Sequence, residues 1–352
     1  MHREKNLFLR VVEFNNLYRA FVGASAGKRE RPEVREFEYH LETRLCAMRR
    51  ELLAGTYRWG AYRSFVVCDP KRRTIRAAPF RDRVVHHAIF NILDPIIQRG
   101  FIADTYACIP GRGTHRAVQR FCAFVEARRT DGYVVQCDMH SYFASVDHAV
   151  LLQLLARRIG DARFLELLAS LIHHGADEPG KGMPIGNLTS QLFANLYLDP
   201  LDHFVKETLR VRHYLRYMDD LTLVAGDRAL ARQYLAAVER YARERLELRL
   251  NPRRTVVAPV RHPRDLLGYV RHPDGRIRVR RRSVRRLCAR LDRLRWQIDA
   301  GQVESGFVHA SLASWFGLAK HADAFRLSRA IFNVRDVHNL GKRLLVRTLR
   351  GR

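Results

Sequence analysis

The chain has 352 residues, 47% of them hydrophobic, which suits a sizeable core in one to about three domains and excludes a disordered polymer. Its formal net charge of +27 calls for a polyanionic partner, either nucleic acid or an anionic membrane surface. No run reaches the roughly 18 apolar residues of a membrane span, and Met-His-Arg-Glu-Lys at the start lacks the apolar stretch of a secretory signal, so nucleic acid is expected and no membrane. Cys46, Cys68, Cys108, Cys122, Cys137 and Cys288 include no Cys-x-x-Cys pair, which removes zinc and redox motifs and leaves reduced, mostly buried thiols of an intracellular protein. The doublets His86-His87 and His173-His174 read as incidental rather than as metal ligands.

Residues 1–60 read as an N-terminal helical extension. Asn6 to Val22 and Phe37 to Leu53 carry apolar residues at helical spacing, separated by the basic loop Gly27-Lys28-Arg29-Glu30-Arg31-Pro32. A helical brace and an RNA contact fit this extension equally. Tyr62–Cys68 and Arg73–Ala77 read as a basic hairpin turned by Asp69-Pro70-Lys71. Lys71 and Arg73 at its tip could hold a triphosphate, one as a point charge and the other as a fork; a solvated turn is the plainer reading of the hairpin alone. A helix follows from Phe80 to about Ile97. Tyr106–His115 bears glycines and precedes a helix, so it could seat a phosphate at the helix N-terminus. It matches neither a Walker nor a dinucleotide fingerprint.

Tyr133–Cys137 is an apolar strand ending in Asp138. Asp147 is a good N-cap for a helix to about Arg158, a second helix covers 161–174, and Gly180–Gly186 is a loop. Thr189 to about Leu209 reads as a long helix, kinked or split at Pro200. His213–Tyr217 and Leu221–Ala225 flank a tight turn. Ala229–Leu246 is an amphipathic helix, Leu246–Leu250 a short strand, Asn251-Pro252 a turn and Leu266–Val270 another strand. From Arg271 onward there are 20 Lys and Arg against 6 Asp and Glu. Helices at about 284–300, 307–322 and 325–347 make this a basic helical domain suited to clamping a duplex backbone.

Tyr217-Met218-Asp219-Asp220 organises the rest. Adjacent acids at a hairpin tip repel each other and are costly to desolvate. An Asp-Asp turn alone is usually just solvated. Here Asp138 supplies a further carboxylate at another strand end, and hard Mg²⁺ prefers such oxygens together with substrate phosphates.

The ordered set resembles the reverse transcriptases: a basic hairpin, Asp138 at a strand end, Gly186-x-x-x-Ser190 opening a helix, Tyr217-Met218-Asp219-Asp220, Asn251-Pro252-Arg253-Arg254-Thr255, then Leu267-Gly268-Tyr269. It covers residues 60 to 270 well and the later residues in size and character. Within that family Ile185 before Gly186, and Gln191 where Pro is usual, are similar to the enzymes of diversity-generating retroelements. Tyr106-Ala107-Cys108, Gly113-Thr114-His115 and Ser190–Asn195 look like those enzymes too.

The resemblance implies an α+β right-hand polymerase fold with fingers, a palm of antiparallel sheet plus helices, and a helical thumb. Its parts would be the extension at 1–60, fingers and the start of the palm at 61–130, palm at 131–270 with a fingers insertion around 160–185, and thumb at 271–352. It implies an RNA-directed DNA polymerase that copies a template-repeat RNA, errs mainly opposite adenine and feeds mutagenic retrohoming. Asp138, Asp219 and Asp220 would hold two Mg²⁺ (Mn²⁺ as an alternative), one lowering the pKa of the primer 3′-hydroxyl and the other holding the triphosphate. Lys71, Arg73, Phe143, Ile185, Gly186 and Gln191 would bind the dNTP, with Phe143 as the steric gate against a ribose 2′-hydroxyl. Gly268, Tyr269, Arg280, Arg281 and Arg282 would touch primer and template. Partners would be the template RNA, the cDNA/RNA duplex, dNTPs and a small basic accessory protein, in the cytoplasm of a prokaryote or of a phage host. Arg254 stands where the family often has Lys, and arginine is a poor proton donor. The alternatives are another prokaryotic reverse transcriptase, of group II intron, retron or defence type, and a non-catalytic RNA-binding scaffold.

Overall fold

Helix breakers and caps divide the N-terminal apolar stretches more finely than their spacing suggests. Asn6–Val22 forms two helices, α1 (Leu7–Val11) and α2 (Phe14–Ser25), because Glu13 is extended. Phe37–Leu53 is split at His40 into α3 (Pro32–Tyr39) and α4 (Leu41–Ala54). Pro32 opens α3 at a position that needs no N–H, and Gly55 closes α4 at a left-handed φ of 70°. The break lets Phe37 turn inward, where its ring lies 5.9 Å from Phe21 and 5.1 Å from Phe80.

The computed structural model describes residues 3–68, 72–128, 131–176, 178–300 and 305–334. They fall into two compact units. The first comprises Met1–Gly113, Val135–Leu223 and Arg232–Val256; the second comprises Thr114–Val134, Val224–Ala231 and Val257–Arg352.

Beyond the N-terminal helices, β1 (Arg63–Val67) pairs antiparallel with β2 (Arg73–Ala77), with Val67 opposite Arg73. Next come α5 (Phe80–Gln98), α6 (Thr114–Glu126), β3 (Tyr133–Asp138), α7 (Tyr142–Ser145), α8 (His148–Ala156), α9 (Ala162–His174) and α10 (Leu188–His203). Asp147 caps α8 as its sequence position suggests, its Oδ1 accepting from the Val150 N–H at 3.1 Å. Pro200 lies inside α10 without splitting it; the helix runs on to His203 and continues as a π turn at Phe204–Thr208. β4 (His213–Tyr217), β5 (Asp220–Ala225), α11 (Arg228–Leu246) and β6 (Val256–Pro259) follow. The four-stranded sheet runs β4-β5-β3-β6. This order sets the end of β3, at Asp138, beside the start of β5, at Asp220.

The expected strand at 246–250 is only a single bridge, Met139 to Leu250, because Glu247 turns left-handed at φ 53°. Leu266–Val270 is likewise interrupted. Leu267 (φ 51°) and Gly268 (φ 96°) form a turn between β7 (Arg264–Leu266) and β8 (Tyr269–Arg271). With β9 (Ile277–Val279) these make an antiparallel three-stranded sheet in the second unit. The basic tail therefore begins with sheet, not helix. Its helices are α12 (Arg281–Asp299), α13 (Ser305–Ala319) and α14 (Phe325–Val334), packed on Leu287, Leu291, Trp315 and Ile331; the stretch expected to extend the last helix to 347 lies outside the described residues. The thiols also depart from expectation: Cys137 is buried, while Cys46, Cys68 and Cys108 are exposed.

The deepest polar feature is on β4. Arg216 and Asp202 are both fully buried. Arg216 Nε and Nη2 donate to the Asp202 carboxylate at 2.8 and 2.7 Å. Tyr214 and Thr105 hydroxyls donate to the same carboxylate at 2.6 and 2.9 Å. Arg216 Nη1 reaches Asn195 Oδ1 at 3.1 Å and the Met218 carbonyl at 3.0 Å. Such a pair is tolerated because its hydrogen-bonding capacity is filled. Arg216→Met would strand the Asp202 charge and cost about 3–5 kcal/mol. Urea unfolding should show that loss, and the double variant with Asp202→Leu should recover most of it; wild-type stability in the single variant would contradict this account.

Candidate active site

A two-residue turn, Met218-Asp219, joins β4 to β5. Met218 sits at φ 57°, the left-handed geometry that tight hairpin turns require. The bond from Arg216 to the Met218 carbonyl anchors the turn from beneath. Asp138 is reached from another direction: its carbonyl accepts the Asn251 N–H at 2.8 Å, and the His140 N–H donates to the Arg249 carbonyl at 2.8 Å. Asn251 then caps a short 3-10 turn, Pro252–Arg254, through its side chain on the Arg253 N–H at 3.2 Å. Thr255 Oγ donates back to the Asn251 carbonyl at 2.9 Å. The Asn-Pro-Arg-Arg-Thr segment is thus a scaffold that delivers Arg254.

Arg254 bridges two of the acids. Its Nη1 lies 2.5 Å from Asp138 Oδ2 and its Nη2 3.1 Å from Asp220 Oδ1. Asp138 is buried, and its Oδ1 has no hydrogen-bond partner. The Asp219 carboxyl is pushed up to about 7, first by burial, then by a hydrogen bond and charge shared with Asp138, then by Asp220. One guanidinium cannot balance three carboxylates, so the cluster holds a proton or accepts a further cation. Its donors are all carboxylate oxygens, the ligand type of Mg²⁺ and Mn²⁺. Among the described residues no three His, Cys, Asp or Glu side chains already form a cage for a metal ion. The cluster fits a divalent ion by donor chemistry, with Arg254 supplying positive charge between two of its members.

The other sequence-derived candidates occupy several places. Phe143, on α7, is half-buried, and its carbonyl accepts the Met183 N–H at 2.8 Å. That bond ties α7 to the stretch carrying Ile185 and Gly186. The Ile185 carbonyl accepts the Arg76 N–H of β2 at 3.1 Å. A Cβ on Gly186 would stand 3.0 Å from Ile75 Cγ2, and its φ is +123°, so glycine is required twice over. Asn187 donates to the Tyr62 hydroxyl at 2.9 Å, and the Arg76 guanidinium lies 4.8 Å over the Tyr62 ring. Arg73 is exposed on β2 and Gln191 exposed on α10. Lys71 lies outside the described residues.

In the second unit, Gly268 makes its turn at φ +96° and accepts the Arg280 N–H at 2.9 Å. Tyr269 is a core ring whose hydroxyl donates to the Leu318 carbonyl at 3.0 Å. Arg280 pairs with Asp265, while Arg281 and Arg282 are exposed on α12. Sequence reasoning missed Arg216, and no local signal marks it, since three successive residues of β4 are buried. It also noted Arg254 without the bridge, since nothing local to residue 254 shows which side chains the fold brings to it.

The sequence profile described as reverse transcriptase (RNA-dependent DNA polymerase) matches residues 69–270. Protein YkfC of Escherichia coli (strain K12) is 27% identical over 308 residues, covering 73% of this chain and 81% of that one. The group II intron-encoded protein LtrA of Lactococcus lactis subsp. cremoris is 26% identical over 173 residues, covering 47% of this chain and 28% of that one. Among solved structures, telomerase from Candida albicans in complex with a fragment of telomeric RNA aligns with a TM-score of 0.48 at 12% identity, over 78% of this chain and 55% of that one. The chain thus spans most of YkfC, about a quarter of LtrA and about half of the telomerase chain.

The raised Asp219 carboxyl has a definite sign. Folded, it titrates near 7; unfolded, near about 3.9. Its stabilising contribution is complete below about pH 4 and is lost as pH rises through 7. In EDTA, the melting temperature should fall from pH 5 to pH 8, and Asp219→Asn should flatten that slope; an unchanged slope would place the titration elsewhere. Arg254→Ala should lower the melting temperature in EDTA and enlarge the gain on adding Mg²⁺. An equal gain in variant and wild type would separate Arg254 from the ion-binding acids.

Proposed function

The chain belongs to the reverse transcriptase (RNA-dependent DNA polymerase) family, and on that premise we propose that it makes cDNA from a template-repeat RNA, with errors concentrated opposite adenine, for mutagenic retrohoming. It shares the family's α+β right-hand polymerase fold. The observation that carries the polymerase reading is the cluster of Asp138, Asp219 and Asp220 at adjoining strand ends, with one buried oxygen left without a partner. No helix among the described residues is long and apolar enough to cross a membrane. We assign the protein to the cytoplasm of a prokaryote or phage host.

In this reading the three carboxylates would hold two Mg²⁺ ions, or Mn²⁺, which would supply charge neutralisation and activation of the 3′-hydroxyl. The primer oxygen bonds to the α-phosphorus as the bond to pyrophosphate breaks, and the hydroxyl proton leaves to solvent. Arg254 stabilises negative charge beside the acids and stays protonated throughout. Arg73, with Lys71, binds the triphosphate. Phe143 occludes a ribose 2′-hydroxyl. Gly268, Arg280, Arg281 and Arg282 serve primer and template; Tyr269, expected among them, is buried with its hydroxyl on the Leu318 carbonyl and supports that turn from the core instead. A small basic protein completes the complex.

Ile185 and Gln191 support the mutagenic subtype. Ile185 is held against β2 by its backbone, so its side chain type can change without losing the bond to Arg76. An apolar side chain there offers no hydrogen bond to position a nucleotide, and loose positioning weakens discrimination of mispairs. A second reading, an intron-type reverse transcriptase, is favoured by the relationship to the group II intron-encoded protein LtrA.

The deciding experiment is Mg²⁺-dependent cDNA synthesis on primed RNA, with and without the neighbouring non-coding RNA and any adjacent small basic protein. Product that disappears in Asp219→Asn is expected. Absence of product with RNA still bound would turn the reading toward a non-catalytic scaffold. Sequencing should find errors opposite template adenine, reduced in Ile185→Gln; faithful wild-type cDNA would select the second reading.

A further inference from the structure

α12 buries one face and leaves an indole at the middle of the other. Leu287, Leu291, Leu294 and Ile298 are 1–7% exposed and form the inner face. At 100° per residue, Trp296 points opposite them and is 63% exposed. Folding gives no reason for an indole there. Trp59 and Trp315 each donate their N–H to a serine hydroxyl, at 3.1 Å in both cases; no such bond holds Trp296 among the described residues. Arg282, Arg285 and Arg293 lie within about 60° of Trp296 on the same face and are exposed. Asp292 also stands on this face. The stripe from Arg282 to Trp296 is about 21 Å long at 1.5 Å per residue.

Guanidinium groups bind phosphates, and an indole offers a stacking plane to any base. A base inside a duplex is already stacked on both faces, so only an unpaired one can use that plane. We propose that Trp296 stacks on an unpaired base of a nucleic acid strand whose phosphates lie along Arg282, Arg285 and Arg293, making this face of α12 a single-strand site. The proposal rests on the polymerase reading for the presence of such a strand. A membrane surface suits the face poorly, since its apolar side is already buried. A basic protein partner would be repelled by the arginines.

The test uses the full chain, a single-stranded 20-nucleotide RNA and a blunt RNA–DNA duplex, with affinities measured across a salt series. Trp296→Ala should weaken single-strand binding about fivefold to a hundredfold, the range for one lost stacked base, with the salt slope unchanged. Trp296→Phe should restore much of it. Blunt-duplex affinity should change by less than about threefold, below the loss of one stacked base. Arg285→Gln should reduce the single-strand salt slope by about 0.7. Unchanged single-strand affinity in Trp296→Ala, or equal losses on both probes, would overturn the site. An unchanged RNA affinity together with a changed solution mass would make Trp296 a protein contact and overturn it too. Primer extension by the same proteins separates the two ideas. A wild type that extends while Trp296→Ala binds normally defeats the stacking site alone. A wild type that never extends, yet shows the predicted binding pattern, defeats the polymerase reading alone.

Discussion

The position of the acidic turn depends on one buried ion pair. Arg216 and Asp202 lie where no water reaches either side chain. Leaving either charge unmatched there would cost several kcal/mol. The fold meets that demand from three segments. Asp202 comes from α10, Arg216 and Tyr214 from β4, and Thr105 from the loop after α5; Asn195 adds both its side-chain oxygen and its carbonyl. Each segment is fixed in register by the need to fill those bonds. The remaining guanidinium donor is spent on the Met218 carbonyl. Core packing and the site are therefore joined through one side chain, three residues before the first acid of the turn it supports.

That linkage explains why an unfavourable cluster can persist. Asp138 and Asp219 are desolvated together and Asp220 stands close by. Left alone, carboxylates would spread apart or turn to solvent. Arg216 holds the turn on one side and Asn251 holds the Asp138 backbone on the other. The acids keep their place largely because the main chain around them is fixed, with Arg254 and the proton shared by Asp138 and Asp219 offsetting their repulsion. Strain of this kind is what a binding site for a cation stores before the cation arrives.

How much of this was legible in the sequence follows from the range of the interactions. The hairpin at 213–225 and the Asp147 cap depend on near neighbours, and their residue types announce them. The splits at Glu13, His40 and Leu267 were not visible. Each is a change of backbone conformation at an ordinary residue inside an apolar run, and it is long-range packing that selects it. The three acids could be picked out because strand ends and acidic doublets are local patterns. Arg216 could not, because an arginine in a strand normally points to solvent, and only its distant partner, Asp202, reverses that preference. The exposed cysteines make the same point: apolar neighbours in sequence do not fix which face of an element turns inward.

Arg254 shows what a single residue type commits the site to. A lysine would present one compact charge and could yield its proton; arginine presents a planar fork and keeps its own. The fork is what allows one side chain to meet Asp138 at 2.5 Å and Asp220 at 3.1 Å together. Both acids are then ordered by the same cation, itself half-exposed and carried on a short turn built by Asn251 and Thr255. An arriving ion with several oxygen ligands must compete with that fork for the same carboxylates. The competition would fall on the less buried partner, Asp220, before the buried one, because solvent can replace the guanidinium bond there at smaller cost. Asp138, enclosed and with one oxygen unmatched, still has an acceptor to offer an added cation. Were a divalent ion to bind these carboxylates, Arg254 would release Asp220 more readily than Asp138.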